Sequence, residues 1–239
     1  MTVLLEICID SIESALAAKE GGADRLEVCS SLAGGGTTPS LGLVKQCVAD
    51  IQLPVMMMIR PHEGGFVYQE NDLEAMLTDI ESAQSIGVRG VVFGALTAER
   101  QIDLEQCQRL LTAATSLQTT FHRAFDLVVD PIQSLNQLIE LRFDRLLTSG
   151  QTASAQAGIP LIRQLCDHAQ ERITLLAGAG VNSQNAQQIV TATGVCELHA
   201  SASVLGSGQS QGNVQFGTDR RVTSVELVRA IRQSLRDSA

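Results

Sequence analysis

Short apolar runs alternate along this chain with longer stretches in which apolar residues recur at helical spacing. The first run, 4–9, has the length of a buried strand, and the helical pattern after it can be capped by Asp10 or Ser11 and ended by Gly21 and Gly22. The same signals predict strands at 4–9, 26–29, 54–60, 91–94, 119–122, 145–148, 173–177 and 196–200. They predict helices at 11–21, 40–49, 73–86, 103–115, 159–168, 183–191 and 223–236, and one more that begins near Pro131.

Eight strand–helix units at intervals of about thirty residues are typical of a closed (β/α)8 barrel. A doubly wound open sheet is the alternative, but the GxGxxG fingerprint that would follow its first strand is absent. We therefore predict an α/β protein with a single TIM-barrel domain over 1–239. A Gly-, Gln- and Ser-rich stretch at about 206–222 follows the last strand on the ligand side, either as a disordered excursion or as a lid.

The composition narrows the classes of partner. Hydrophobic residues make up 44% of the chain and charged residues 18%, which is enough apolar material for a large core. The net charge of −9 argues against nucleic acid and against an acidic membrane surface as partners. We find neither an apolar run of about 18 residues nor a signal-peptide pattern near Met1, so a cytoplasmic protein is expected.

Cysteine and lysine usage excludes further classes. The 6 cysteines are scattered without a CxxC pair, which indicates neither a disulfide framework nor a structural zinc ribbon. Lys19 and Lys45 are the only lysines, and both fall on predicted helices. A lysine on a strand that could form a Schiff base is therefore excluded, and with it the aldolases that use one.

Alternation along each strand separates inward from outward side chains. In the first two strands, Glu6 and Cys8 share one face, as do Arg25, Glu27 and Cys29. The same parity places further polar or sulfur-bearing side chains inside the barrel, namely Met56, Met58, Arg60, Thr120, His122, Glu197, His199 and Ser201. Carboxylates this close would raise one another's pKa, which suits acid–base catalysis or a bound cation. A buried ion-pair lattice of Glu27 with Arg25 or Arg60 is the structural alternative.

Further candidates follow the strands at the carboxyl end of the barrel, where ligands of this fold bind. The segment TFHRAFD places a histidine, an arginine and an aspartate where the fifth strand ends, and glycine-rich turns follow the seventh strand. The candidate catalytic residues are Glu6, Glu27, His122, Asp126 and His199. The candidate anion-binding residues are Arg60, Arg123, Ser149, Gly178, Gly180 and Ser201.

Several of these segments together resemble one known family. LLEICIDSIESA, GADRLEVCSSLAGGGTTPSLG, VFGALT, TFHRAFD, LLTSGQ, AGAGV and ELHASA, in this order, are similar to the copper homeostasis protein CutC family. The resemblance implies a TIM barrel, cytoplasmic copper handling and a homo-oligomer. It implies rim residues at Glu6, Glu27, Arg60, His122, Arg123, Asp126, Ser149 and His199, and copper-binding cysteines at Cys8 and Cys29. After Pro61 the chain reads HEGGF where that family usually reads RGGDF.

Two functions remain open from the sequence. Copper(I) prefers thiolate ligands, and Cys8 and Cys29 occupy equivalent positions on adjacent predicted strands, so they form a candidate metal site. The alternative is an isomerase, epimerase or lyase that acts on a small anionic, even phosphorylated, substrate through Glu and His acid–base chemistry or a divalent metal. No organic cofactor is evident, and the expected partner is a small ligand or a metal ion.

Overall fold

The computed structural model describes residues 3–206 and 220–235, and its centre is a closed barrel of eight parallel strands in chain order. The predicted (β/α)8 architecture is confirmed. The barrel strands are β1 (Leu4–Ile9), β2 (Arg25–Val28), β3 (Val55–Met58), β4 (Gly90–Phe93), β5 (Gln118–Phe121), β6 (Arg145–Thr148), β7 (Thr174–Ala177) and β8 (Glu197–Ala200). The barrel closes where β8 pairs with β1.

Within the described ranges, eight α-helices surround the barrel, each after its strand. They are α1 (Ile12–Gly21), α2 (Leu41–Gln46), α3 (Glu70–Ile86), α4 (Leu104–Ala113), α5 (Pro131–Glu140), α6 (Ile159–Ala169), α7 (Ala186–Thr193) and α8 (Val225–Ser234). Local chemistry fixes several ends: the Ser11 side chain accepts a hydrogen bond from the backbone N–H of Ser14, and Gly22 ends α1 in the left-handed conformation. None of the described helices is long and apolar enough to cross a membrane.

Several elements differ from their predicted bounds by a few residues; for example, α3 begins at Glu70 rather than at 73, and β3 covers Val55–Met58 rather than 54–60. Two segments differ in the kind of structure they form. The helix predicted at 40–49 is α-helical only to Gln46 and continues as a π-helical turn over Cys47–Ile51. The last helix begins at Val225, because the residues before it form β10 (Arg221–Thr223), which pairs antiparallel with β9 (Ser203–Leu205). Most of the Gly-, Gln- and Ser-rich stretch at about 206–222 lies outside the described residues.

Because side chains alternate along each strand, apolar residues of the barrel lie either in the core between strands and helices or in a small cluster inside the barrel. Leu5, Ile7 and Met57 point outward into the large core under the helices. Met56 and Met58 point inward and pack with Cys29 and Val92 in a separate cluster inside the barrel. Many of the other side chains that point into the barrel are polar, and they form the candidate site.

Candidate functional site

One end of the barrel interior is filled by paired charges. Arg25 donates from Nε to Glu6 Oε2 and from Nη2 to Glu197 Oε2, both at 2.5 Å. Arg145 lies 3.2 Å from the same Glu197 oxygen and donates from Nη2 to Gln118 Oε1. The strand register explains the contacts, because Arg25 lies beside Glu6 on the neighbouring strand. We call Glu6, Arg25, Glu197 and Arg145 the ion-pair lattice.

Glu6 shows how strongly this lattice holds its charges. Burial raises the pKa of its carboxyl, but Arg25 and a hydrogen bond from His199 outweigh burial and lower the pKa to about 2. Glu6 is therefore a carboxylate at neutral pH. The sequence alternative of a buried lattice is thus present in the barrel, although Glu6 rather than Glu27 carries it.

One step further along the same strands, three metal-ligating side chains meet. Cys8 pairs in register with Glu27, and His199 donates from Nδ1 to Glu6 Oε1 at 2.8 Å. That contact leaves His199 Nε2 on the side of Glu27, 3.8 Å from its Oε2. One ligand atom from each of Cys8, Glu27 and His199 lies within 4.8 Å of the other two. These residues form the Cys8–Glu27–His199 group.

In this group, neighbouring charges and burial shift the pKa values of Glu27 and His199 in opposing directions. Burial raises the pKa of Glu27, and Glu6 adds to the increase while His199 opposes it. Burial lowers the pKa of His199, but Cys8, Glu27 and Glu6 outweigh burial and hold it well above its usual value. Glu27 Oε1 is buried and has no hydrogen-bond partner among the described residues.

Cys29 lies beside this group but is not part of it. Its thiol donates to Glu27 Oε2 at 3.3 Å, and burial together with the Glu27 charge raises its pKa well above the usual value. Of the two cysteines predicted as metal ligands, the structure brings Cys8 to the histidine and the glutamate, whereas Cys29 packs against Met56 and Met58.

The group opens into a cavity of about 390 Å³ at the carboxyl end of the strands. Its polar wall includes Cys8, Glu27, Arg60, His122, Arg123, His199 and Ser201, and its apolar wall includes Leu32, Met58, Phe66, Leu127 and Leu147. This size and this mixture of an apolar lining with a few polar groups are typical of small-ligand sites.

Arg60 lines the cavity, but its terminal donors are already used. Nη1 donates to the carbonyls of Gly34 and Gly36, and Nη2 donates to the carbonyls of Glu63 and Gly64. Its guanidinium also lies over the Phe66 ring, 4.9 Å from the centroid. Arg60 therefore ties the loops after β2 and β3 together through its terminal nitrogens, and its role in anion binding stays a prediction.

His122 directly follows β5 and lies on the wall of the same cavity. The ring is buried and packs edge-on against Phe66, with centroids 4.8 Å apart. Burial and the charge of Arg60 lower the pKa of His122 to about 3. A side chain at Gly94 would not fit beside it, because a Cβ there would lie 2.8 Å from His122 Nδ1.

Arg123 is held at the mouth by Asp126 and Ser149. Arg123 donates from Nε to Asp126 Oδ2 at 2.8 Å and from Nη2 to Ser149 Oγ at 3.0 Å. Asp126 also accepts from the Thr148 hydroxyl and from the backbone N–H groups of Ser149 and Gln151. With its oxygens used in this way, Asp126 has the contacts of a positioning residue rather than of a proton donor.

The remaining predicted residues divide between the cavity wall and its support. Gly180 and Ser201 line the cavity, whereas Cys29, Asp126, Ser149 and Gly178 are absent from its described lining. Sequence reasoning missed the apolar wall formed by Leu32, Phe66, Leu127 and Leu147. Phe66 lies in a loop and Leu127 ends a short 3-10 helical turn over Arg123–Leu127, and at neither position does a periodic pattern indicate which way the side chain points.

The fold and the site together define a (β/α)8 barrel protein with a small cavity beside three potential metal ligands. The family model for the CutC family matches residues 3–204, and the chain belongs to that family. It is 51% identical over 197 residues to a CutC family protein of Pasteurella multocida, covering 82% of this chain and 81% of that protein. It is 47% identical over 199 residues to the human copper homeostasis protein cutC homolog, covering 83% of this chain and 73% of that protein.

Solved structures agree with this assignment. The putative copper homeostasis protein CutC of Streptococcus agalactiae matches with a TM-score of 0.80 and 35% identity, over 84% of this chain and 99% of that chain. Phosphoribosylanthranilate isomerase of Thermotoga maritima matches with a TM-score of 0.61 and 12% identity, over 99% of this chain and 100% of that chain. The second likeness is one of fold alone.

Proposed function

We propose that this protein takes part in copper homeostasis and binds copper(I) at the Cys8–Glu27–His199 group. The relatives named as copper homeostasis proteins support the role, and the meeting of the three ligand atoms within 4.8 Å supports the site. The convergence of one thiol, one imidazole and one carboxylate is the observation that carries the proposal.

The chemistry of the donors fits a copper ion. A thiolate is the ligand that copper(I) prefers, and imidazole also suits copper. Glu27 Oε1 is buried without a partner among the described residues, as expected of an oxygen that faces a bound cation. Met58 lines the same cavity and supplies a thioether near the group.

The proposal assigns different roles to the two cysteines. Cys8 ligates the ion, whereas Cys29, whose raised pKa keeps it a thiol, supports Glu27 from behind. A reduced Cys8 requires a reducing compartment, so we also place the protein in the cytoplasm. The homo-oligomer implied by the family resemblance remains part of the same proposal.

A copper(I) titration of the reduced protein against a chromophoric competing chelator tests the site. Cys8→Ser should weaken binding about 100-fold or more, because it removes the soft ligand, and Cys29→Ser should weaken it less than about tenfold. Cys196→Ser is the matched control, since Cys196 precedes β8 at the opposite end of the barrel. Tight binding that survives Cys8→Ser contradicts the site, and tighter binding of zinc(II) than of copper(I) contradicts the choice of metal.

A further inference from the structure

His122 lines the cavity and carries a hydrogen-bond donor that no described residue uses. Its Nδ1 faces the backbone N–H of Ala124 at 3.4 Å and accepts from it, so the single proton of the neutral ring lies on Nε2. Nε2 is buried and has no partner among the described residues, although His122 lines the cavity. A buried donor without a partner is rare enough in folded proteins to require a reason, and a ligand atom is one.

The surroundings of His122 keep this donor neutral. Arg60 lies close enough to oppose a second positive charge, and its own terminal donors are fixed on four backbone carbonyls. Phe66 lies against both side chains, over the guanidinium and edge-on to the imidazole. The polar wall also holds Arg123, which Asp126 fixes at the cavity mouth, and the titratable side chains of Glu27 and His199. A neutral donor of this kind suits an uncharged carbonyl oxygen better than a phosphate.

The rest of the wall indicates what the oxygen is attached to. Arg123 supplies positive charge at the mouth, where its side chain is 45% exposed. Leu32, Leu127 and Leu147 provide an apolar surface beside it. A ligand that satisfies all of these groups has an anionic end, a carbonyl oxygen next to it and a short hydrocarbon tail.

We propose that the cavity binds a small 2-oxo carboxylate, with its carbonyl oxygen on His122 Nε2–H and its carboxylate at Arg123. The hydrocarbon tail packs against the leucines of the apolar wall. This site opens on the same cavity as the proposed copper site but uses different residues, because neither His122 nor Arg123 belongs to the Cys8–Glu27–His199 group. It gives the small anionic ligand of the alternative function a defined position, and it makes His122 a donor rather than an acid–base group.

Two probe ligands test the carbonyl contact directly. 4-Methyl-2-oxopentanoate has the carboxylate, the carbonyl and a branched tail, whereas 4-methylpentanoate has the same tail and carboxylate without the carbonyl. Calorimetric titration of the metal-free protein, with a chelator present, should show that the oxo acid binds about tenfold more tightly, the effect of one hydrogen bond. Equal affinities would overturn the proposal. The chelator makes this result independent of whether copper binds.

Variants assign the contact to its residue. His122→Phe should remove the preference for the oxo acid, and Arg123→Gln should weaken both ligands by a similar factor. His62→Phe, a change of an exposed histidine in the neighbouring loop, is the matched control and should leave the preference intact. A preference that persists in His122→Phe overturns the assignment, provided that this variant unfolds at the same urea concentration as the control.

A spectroscopic measurement on the unchanged protein covers the case in which His122→Phe fails to fold. Nitrogen-15 NMR of the histidine side chains distinguishes the two neutral tautomers. His122 should carry its proton on Nε2 and stay neutral down to about pH 4, and this signal should shift on addition of 4-methyl-2-oxopentanoate. A proton on Nδ1, or a His122 signal that does not shift at a saturating concentration of the oxo acid, overturns the proposal.

Discussion

The two ends of the barrel interior hold similar side chains, but their carboxylates are paired with cations to different extents. In the ion-pair lattice, Glu6 and Glu197 share Arg25 between them, and both carboxylates have a cation in contact. At the mouth, Glu27 and His122 each leave a buried polar atom without a partner among the described residues. Two Arg145 nitrogens of the lattice, Nε and Nη1, also lack a hydrogen-bond partner among the described residues. The two ends therefore differ in how closely their carboxylates are paired with a cation rather than in residue type.

The lattice and the mouth of the barrel are only two residues apart along β1. Glu6 and Cys8 lie on the same face of β1, and each is in register with a polar residue of β2, Arg25 and Glu27 respectively. His199 joins the two levels, because its Nδ1 contacts Glu6 while its Nε2 lies near Glu27. The lattice thus orients the imidazole that the mouth of the barrel presents.

The largest effect is expected from breaking the lattice. Arg25→Met removes the cation that Glu6 and Glu197 share and leaves them only His199 and Arg145 as partners. Removal of one partner from a buried ion pair typically costs about 3–5 kcal/mol of unfolding free energy. Urea denaturation at neutral pH measures the loss. The matched control is Arg163→Met, which removes an exposed ion pair with Asp167 and should change the midpoint little. Similar midpoints for the two variants would show that the lattice is not the scaffold we describe.

A smaller change in the free energy of unfolding should distinguish Glu6 from Glu27, which lie on neighbouring strands. Glu6→Gln should lower the free energy of unfolding by about 2–4 kcal/mol, because the carboxylate that Arg25 and His199 stabilise is lost. Glu27→Gln should change it by less than about 1 kcal/mol or increase it, since burial already disfavours that charge. Urea denaturation of both variants at pH 7 decides the comparison. An equal loss in both would contradict the division of the interior into a paired and an unpaired end.

Much of the fold is readable from the sequence because its signals are local. Strand β1 and strand β6 have the predicted bounds, and Pro131 begins α5 as expected. The errors lie where tertiary contacts decide: Thr223, predicted to begin the last helix, pairs in β10 instead. A π-helical turn after Gln46 leaves no signature in apolar spacing.

The site is less predictable, because its residues interact across loops. Parity correctly places Glu27, His122 and His199 inside the barrel, since alternation is a property of each strand alone. Strand parity does not indicate that the terminal nitrogens of Arg60 donate to the carbonyls of two loops, or that Asp126 accepts a hydrogen bond from Arg123. Those contacts depend on loop conformation, which residue spacing does not encode.

The smallest effect concerns His122 and appears as a pH dependence. Because its folded pKa is about 3 and the unfolded value about 6.5, the unfolded state binds more protons between these values. His122 therefore makes stability fall as pH falls, by about 1.4 kcal/mol per unit, or about 2 kcal/mol from pH 6.5 to 5. His199, whose folded pKa is raised, contributes on the alkaline side, where its stabilisation is lost as pH rises.

Urea denaturation of the unchanged protein and of His122→Phe at pH 6.5 and 5 measures the contribution of His122 to the pH dependence of stability. Glu27, with its raised pKa, adds a slope of the opposite sign above about pH 4.5, so only the difference between the two proteins is informative. The unchanged protein should lose about 2 kcal/mol more than His122→Phe over this interval. Parallel losses would mean that His122 is protonated in the folded state. It would then be a cation rather than the neutral donor that distinguishes the open end of the barrel from the lattice.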